Sequence, residues 1–316
     1  MSDVVVDAHH HLWVRARHPQ DWIDPVTMAA IDADFTPADL PAREHGVDAT
    51  VVVQSVSSWS ETRDLLDVAA SPEGRAARVT GVVGWADLCD AALEDRLAAL
   101  REAPGGQHLV GIRTMVQAEP DPDYLDRPDV HAGVVAVGAA GLPFDLVVRA
   151  DQLASCARLA AALPDTRFVL DHLAKPPIAA TTPDAAGRPG DPAALDAWRR
   201  DLTALAARPN VVAKLSGLVT EARWDAWTTA DLRPAADHAL DVFGPDRLML
   251  GSDWPVCLLA SGYGRWLAAA DELLAALSAD ERAAVRGRTA VTTYGLDVGV
   301  RAGAVPVPVP NEKEQQ

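Results

Sequence analysis

A chain of 316 residues with 49% hydrophobic and 23% charged residues is too apolar for general disorder, and it is long enough for two ordinary domains or one large α/β barrel. A net charge of −17 opposes binding to nucleic acid or to an anionic membrane surface, and no apolar stretch approaches the roughly 18 residues of a membrane span. Cys89, Cys156 and Cys257 are odd in number and far apart, which fits neither a disulfide framework nor a CxxC site and reads as reduced thiols in a cytoplasmic protein.

The chain opens with Val4-Val5-Val6, a β-branched run that leads through Asp7 into His9, His10 and His11. Alternate side chains of an extended strand share a face, so His9 and His11 converge while His10 looks away, the spacing at which two imidazoles approach one ion. A long polar stretch, Arg15 to Thr36, carries Trp22 and reads as a lid over a pocket. A helix from Pro37 to the stop at Gly46 precedes a second strand, Thr50 to Gln54. Helix 61–70 then leads to strand 79–84, helix 91–101 to strand 109–113, helix 130–140 to strand 143–148, and helix 152–163 to strand 167–171. After a Pro/Gly/Ala-rich loop, 175–192, come helix 193–207, strand 211–215, a helical stretch 224–243, strand 247–251 and closing helices from Tyr263. Eight strand-like runs alternating with helical patterns, with no linker between them, predict one (β/α)8 TIM barrel over residues 1–302. Alternating prolines make 303–316 a disordered tail. A doubly wound sheet would place a glycine-rich phosphate loop after the first strand, where this chain has histidines.

In such a barrel the active face lies at the carboxyl ends of the strands. His9 and His11, Gln54, Trp85, Arg113, Arg149, Asp171 with His172, Ser216, and Ser252 with Asp253 all fall there. Lys214 and Ser216, on alternate positions of the seventh strand, are expected to point together into the barrel mouth.

The segments DAHHHLW, GVVGWADL, GIR, FVLDHLAKPP, KLSGL and LMLGSDWPV, in this order between Val4 and about Tyr294, resemble the amidohydrolase superfamily. Within it they are similar to the lactonase branch that acts on L-fuconolactone, L-rhamnonolactone and pyrone dicarboxylate. The resemblance implies an HxH pair at His9 and His11, a further site histidine at His172, a terminal-strand aspartate at Asp253, and a substrate-contacting arginine at Arg113. It also implies one divalent metal, zinc first, on His9, His11, His172 and Asp253, or none. The modified lysine of two-metal relatives has Arg113-Thr114 in its place, and Arg149-Ala150-Asp151 stands where many carry a further histidine.

The expected reaction is hydrolysis of a small lactone, from a sugar acid or from aromatic degradation, with Asp253 as general base and then acid and with His172 and Arg113 assisting. Gln54, Arg149 and Ser216 are expected to contact substrate, and Trp13, Trp85 and Trp254 to form an apolar wall. The alternatives are a metal-dependent decarboxylase of a small unsaturated acid and a non-catalytic barrel that binds a ligand or metal. The partner is a small molecule rather than nucleic acid or membrane, and self-association stays open.

Overall fold

The computed structural model describes residues 4–184 and 186–298; the expected tail at 303–316 lies outside them. Eight parallel strands form one sheet in sequence order: β1 (Val6–His10), β2 (Ala49–Val53), β3 (Val79–Gly84), β4 (Leu109–Thr114), β5 (Phe144–Leu146), β6 (Phe168–Leu170), β7 (Val211–Leu215) and β8 (Leu248–Leu250). The sheet closes where β1 meets the segment after β8. Asp253 N donates to His9 O at 2.8 Å, and His10 bridges to Trp254. This is the (β/α)8 barrel, and the short strands read as near-continuous apolar runs because both of their faces are covered.

Alternation sorts each strand between two layers. In β2, Val51 and Val53 join the cluster of Val6, Ala8, Val83, Val169 and Met249 inside the barrel, while Val52 packs outward against the helices. β1 departs from this order in one place. Its register against β2 slips between Asp7 and His10, three steps along β1 matching two along β2. The slip resets the phase of the strand: Ala8 and His9 both turn inward, and His10 turns out to lie 3.0 Å from Thr50 Oγ1.

Three predicted helices differ from the structure for identifiable reasons. The span 37–46 forms two short 3₁₀ turns, Pro37–Asp39 and Pro41–His45, because Pro41 lacks an N–H and holds Leu40 extended before it. The span 193–207 begins as a 3₁₀ turn, Pro192–Leu195, before the helix Asp196–Ala206. The stretch 224–243 resolves into the helix Thr229–Phe243, started by a Thr228–Asp231 capping box, and a separate short helix, Leu218–Glu221, lies just ahead of it. No helix among the described residues is long and apolar enough to cross a membrane.

Two further devices position the mouth of the barrel. The helix Trp59–Ala70 starts at Ser58 and carries buried Glu61, whose carboxylate accepts from the backbone N–H groups of Ser55 and Val56 and so ties the helix to the loop after β2. Beyond β6 the chain makes a left-handed turn: His172, Leu173, Ala174 and Lys175 have φ of 52°, 50°, 59° and 55°. Left-handed backbone is costly for residues with a Cβ, about 1–2 kcal/mol each, so a run of four persists only under strong tertiary constraint. The constraint is visible: Lys175 N donates to His172 O at 2.9 Å, and buried Trp198 donates its Nε1 to Leu173 O at 2.7 Å.

Candidate active site

The inward histidines meet at the carboxyl end of the barrel. His9 Nε2 and His11 Nε2 lie 3.2 Å apart, and Asp253 Oδ1 stands 3.8 Å from the first, 3.5 Å from the second and 3.7 Å from His172 Nε2. Asp253 itself sits at φ 57°, another left-handed residue, where the chain turns in from β8. Each histidine is fixed through its other ring nitrogen. His11 Nδ1 lies 2.8 Å from Val53 O, His172 Nδ1 2.9 Å from Ser216 Oγ, and His9 Nδ1 3.3 Å from Asp171 Oδ1. The Val53 carbonyl can only accept, so His11 carries its proton on Nδ1 and keeps its Nε2 lone pair open, while His9 Nδ1 also lies 3.2 Å from Lys214 Nζ. A β-carbon at Gly217 would lie 2.6 Å from His172 Nδ1, so only glycine lets the chain after β7 pass behind that ring.

The donor set fits a divalent ion. Three acceptor atoms, His9 Nε2, His11 Nε2 and Asp253 Oδ1, lie 3.2–3.8 Å from one another, near the roughly 3.3 Å edges of a tetrahedral centre with bonds of about 2.0–2.1 Å, and His172 Nε2 stands on the far side of the same carboxylate oxygen at 3.7 Å. A second group, His9, Asp171 and His172, is also close enough to share an ion. Its carboxylate, however, already faces two cations, Lys214 Nζ and Arg113 Nη1, each at 2.8 Å.

Beneath the histidines lies a fully buried charge cluster. Lys214 Nζ bridges Asp171 and Asp145 at 2.8 and 2.7 Å, and Tyr294 donates its hydroxyl to Asp145 at 2.6 Å. Burial alone would raise the Asp171 carboxyl, but Lys214 and His9 beside it hold it well below the usual range. Burial lowers His9 well below its ordinary value, and it takes His172 down to about 4 against the pull of Asp253, so both rings are neutral and able to donate lone pairs. Asp253 is raised by burial and lowered by His172 and His11, and the net shift is downward.

A cavity of about 340 Å³ opens above this floor. His11, His172, Asp253 and Arg113 form its base, with Lys175 and Glu221 on one wall and the rings of Trp22 and Trp224 beside Met28 and Met115. An outer cleft continues from it past Lys175, Glu221 and Gln117 to Arg149.

The structure thus brings His9, His11, His172, Asp253 and Arg113 together and distributes the other expected residues elsewhere. Arg113 is 2% exposed, and besides Asp171 its guanidinium holds Gln54 O and reaches His9 Nε2 at 3.4 Å. Gln54 is buried away from the cavity, and among the described residues neither of its side-chain polar atoms has a hydrogen-bond partner. Ser216 lies behind His172 and Lys214 lies under the floor; neither faces the mouth. Trp13 packs against Trp22 and Phe35 with its Nε1 on Ala33 O, and Trp254 packs against Phe35, so neither lines the cavity. Trp85 does not line it either; its backbone N–H and C=O are both bound by Thr62 Oγ1. Arg149 stands exposed on the outer rim. Sequence reasoning did not single out Lys175, Glu221 or Trp224 as lining residues, and it placed Trp22 only on a lid. Lys175, Trp22 and Trp224 belong to loops or short turns and Glu221 to a one-turn helix, where no periodic pattern announces direction.

Comparison with known proteins agrees with this geometry. A family model described as amidohydrolase matches residues 6–296. An L-fucono-1,5-lactonase of Burkholderia ambifaria is 39% identical over 301 residues, covering 92% of this chain and 96% of its own. Two crystal structures of an amidohydrolase from Burkholderia multivorans, one with bound HEPES and one with bound zinc, are 36% and 35% identical with TM-scores of 0.84 and 0.82. Each alignment covers 93% of this chain and 100% of the other. This chain belongs to the amidohydrolase family and is one of its hydrolytic enzymes.

Proposed function

We propose that the enzyme opens a sugar-acid 1,5-lactone of the L-fuconolactone type to the free hydroxy acid. The supporting observation is the floor of the cavity: His9, His11 and His172 gather within 3.5–3.8 Å of one oxygen of the Asp253 carboxylate at the base of a space of the size small-molecule sites occupy. Lactone hydrolysis by the 39% identical relative supports the substrate class.

In this reading His9, His11, His172 and Asp253 hold one divalent ion, zinc by likeness to the Burkholderia multivorans structure, which would polarise the lactone carbonyl and make a bound water acidic near neutral pH. The chain's own groups do the rest. The histidine contacts of Asp253 fall on Oδ1, which leaves Oδ2 to take a proton from the attacking water. The water oxygen bonds to the carbonyl carbon, and charge develops on the carbonyl oxygen beside Arg113. The guanidinium is held there by Asp171 and Gln54 O and needs no reorganisation. The ring C–O bond then breaks, and Asp253 returns the proton to the leaving alkoxide. The buried Lys214–Asp145–Asp171 cluster orients His9 and keeps Arg113 in place.

A pH-indicator assay with L-fucono-1,5-lactone, run beside metal analysis on the same preparation, tests this. The expected result is acid release with about one divalent ion per chain. A pure protein that opens no lactone with or without added zinc refutes the reading, and release of carbon dioxide from an unsaturated acid would replace it with decarboxylation.

A further inference from the structure

The cavity wall carries two charges that the proposed hydrolysis does not use. Lys175 ends the left-handed turn after β6, and Glu221 ends the short helix Leu218–Glu221; both face the cavity and the outer cleft. Among the described residues neither side chain has a hydrogen-bond or ion-pair partner, although each feels the field of the other and of Asp253. Half-buried charges left without partners lose hydration and gain nothing in return unless a ligand supplies the missing hydrogen bonds. Beside them the Trp224 ring is fixed by its Nε1, which donates to Thr220 O at 2.8 Å, and it lines the same cavity.

One ammonium, one carboxylate and one fixed aromatic face match a ring with a polyol edge and an apolar C–H face. The hydroxyls donate to Glu221 and accept from Lys175, and the C–H face lies against Trp224. They do not match an anionic substrate. Arg113 is paired with Asp171, and Asp253 is offset by the ion that the lactone reading places on it, so among the described lining residues Glu221 is the charge that a second carboxylate placed at the wall would meet, and like charges there repel.

We propose that Glu221, with Lys175, is the specificity-determining pair of this site: it selects a neutral polyhydroxylated lactone, and Glu221 excludes lactones that carry a second acidic group. The proposal rests on the lactone reading above. The test compares kcat/KM of the full-length wild type and Glu221→Gln, which keeps the shape and removes the charge, on L-fucono-1,5-lactone, on δ-valerolactone and on D-glucaro-1,4-lactone, which bears a free carboxylate. In the variant the preference for the fuconolactone over the deoxygenated ring shrinks by roughly 10- to 100-fold, expressed mainly in KM, because one charged hydrogen-bond acceptor is lost. The rate on the glucarolactone relative to the fuconolactone, both of which carry ring hydroxyls, rises several-fold. A merely structural role for Glu221 would lower all three rates together and move neither ratio. Either ratio staying within about twofold of wild type overturns the assignment. If the wild type opens none of the three, the lactone reading falls and this assignment with it; if it opens them and the ratios do not move, only this assignment falls.

Discussion

The floor and the wall of the cavity are built on opposite principles. Every floor histidine is anchored through its second nitrogen, to Val53 O, Ser216 Oγ or Asp171, and the acid beneath is pinned by two cations. Among the described residues, the wall presents Lys175 and Glu221 with no such partners. The difference separates chemistry from selection. Groups that handle protons and an ion have to be in place before the substrate arrives, whereas groups that recognise hydroxyls have to keep their hydrogen-bonding capacity open.

The comparison breaks most sharply at Asp253. Asp253→Asn should leave a folded protein, by circular dichroism, with lactone turnover lower by about three orders of magnitude or more. Retained activity would remove the base from the floor. Next is Lys214→Met, which leaves buried Asp145 with only the Tyr294 hydroxyl and Asp171 with Arg113 as its one remaining cation. It is expected to cost about 3–5 kcal/mol in urea unfolding, partly recovered by adding Asp145→Asn, and an unchanged midpoint would show that the cluster is not a support.

The third prediction concerns pH. His10, turned outward by the register slip, has its pKa lowered from 6.5 to about 3 by burial. Because the unfolded ring takes up a proton first, this group's stabilisation is fully present above pH 6.5 and is lost as pH falls through 3, about 5 kcal/mol in all. Buried Asp7, raised to about 6, acts in the opposite sense: its share is full below about pH 4 and lost as pH rises through 6. The histidine spans the larger shift, so urea stability should fall with acidification across this window, and His10→Asn should flatten the decline. A profile that does not change in the variant would assign the acid sensitivity to other groups. The smallest expected effect is Ser216→Ala, which frees His172 Nδ1. Competition with a chelator should show metal affinity weaker by roughly tenfold. Discrimination among lactones should be unaffected, since Ser216 does not reach the wall.

The barrel was legible in the sequence because alternation of Val-rich runs with helical patterns survives short strands; β3 and β7 end where the pattern says. The HxH pair was legible too, although by strict counting from Val6 the inward residues of β1 would be Ala8 and His10. The register slip that favours His9 and His11 leaves no mark in composition, and only the residue types showed which phase holds. Directions beyond the strand ends were not legible. Trp13 and Trp254 adjoin ligand motifs yet turn toward Phe35, while Trp22 and Trp224, farther along their loops, reach the cavity. Nor does a run of four non-glycine residues in left-handed conformation have a sequence signature, since propensity argues against it at each position.

That turn also sets a length. A 3₁₀ turn brings residues three apart into line, about 6 Å along its axis, and His172 and Lys175 are its two ends. One end belongs to the histidine cluster at the base of the cavity, the other to its charged wall. In the proposed lactone reading the pitch of the turn becomes a gauge for ring size: it would fix how far from the reacting carbon a hydroxyl has to stand to be counted, and lengthening the loop by one residue would rewrite that distance rather than loosen it.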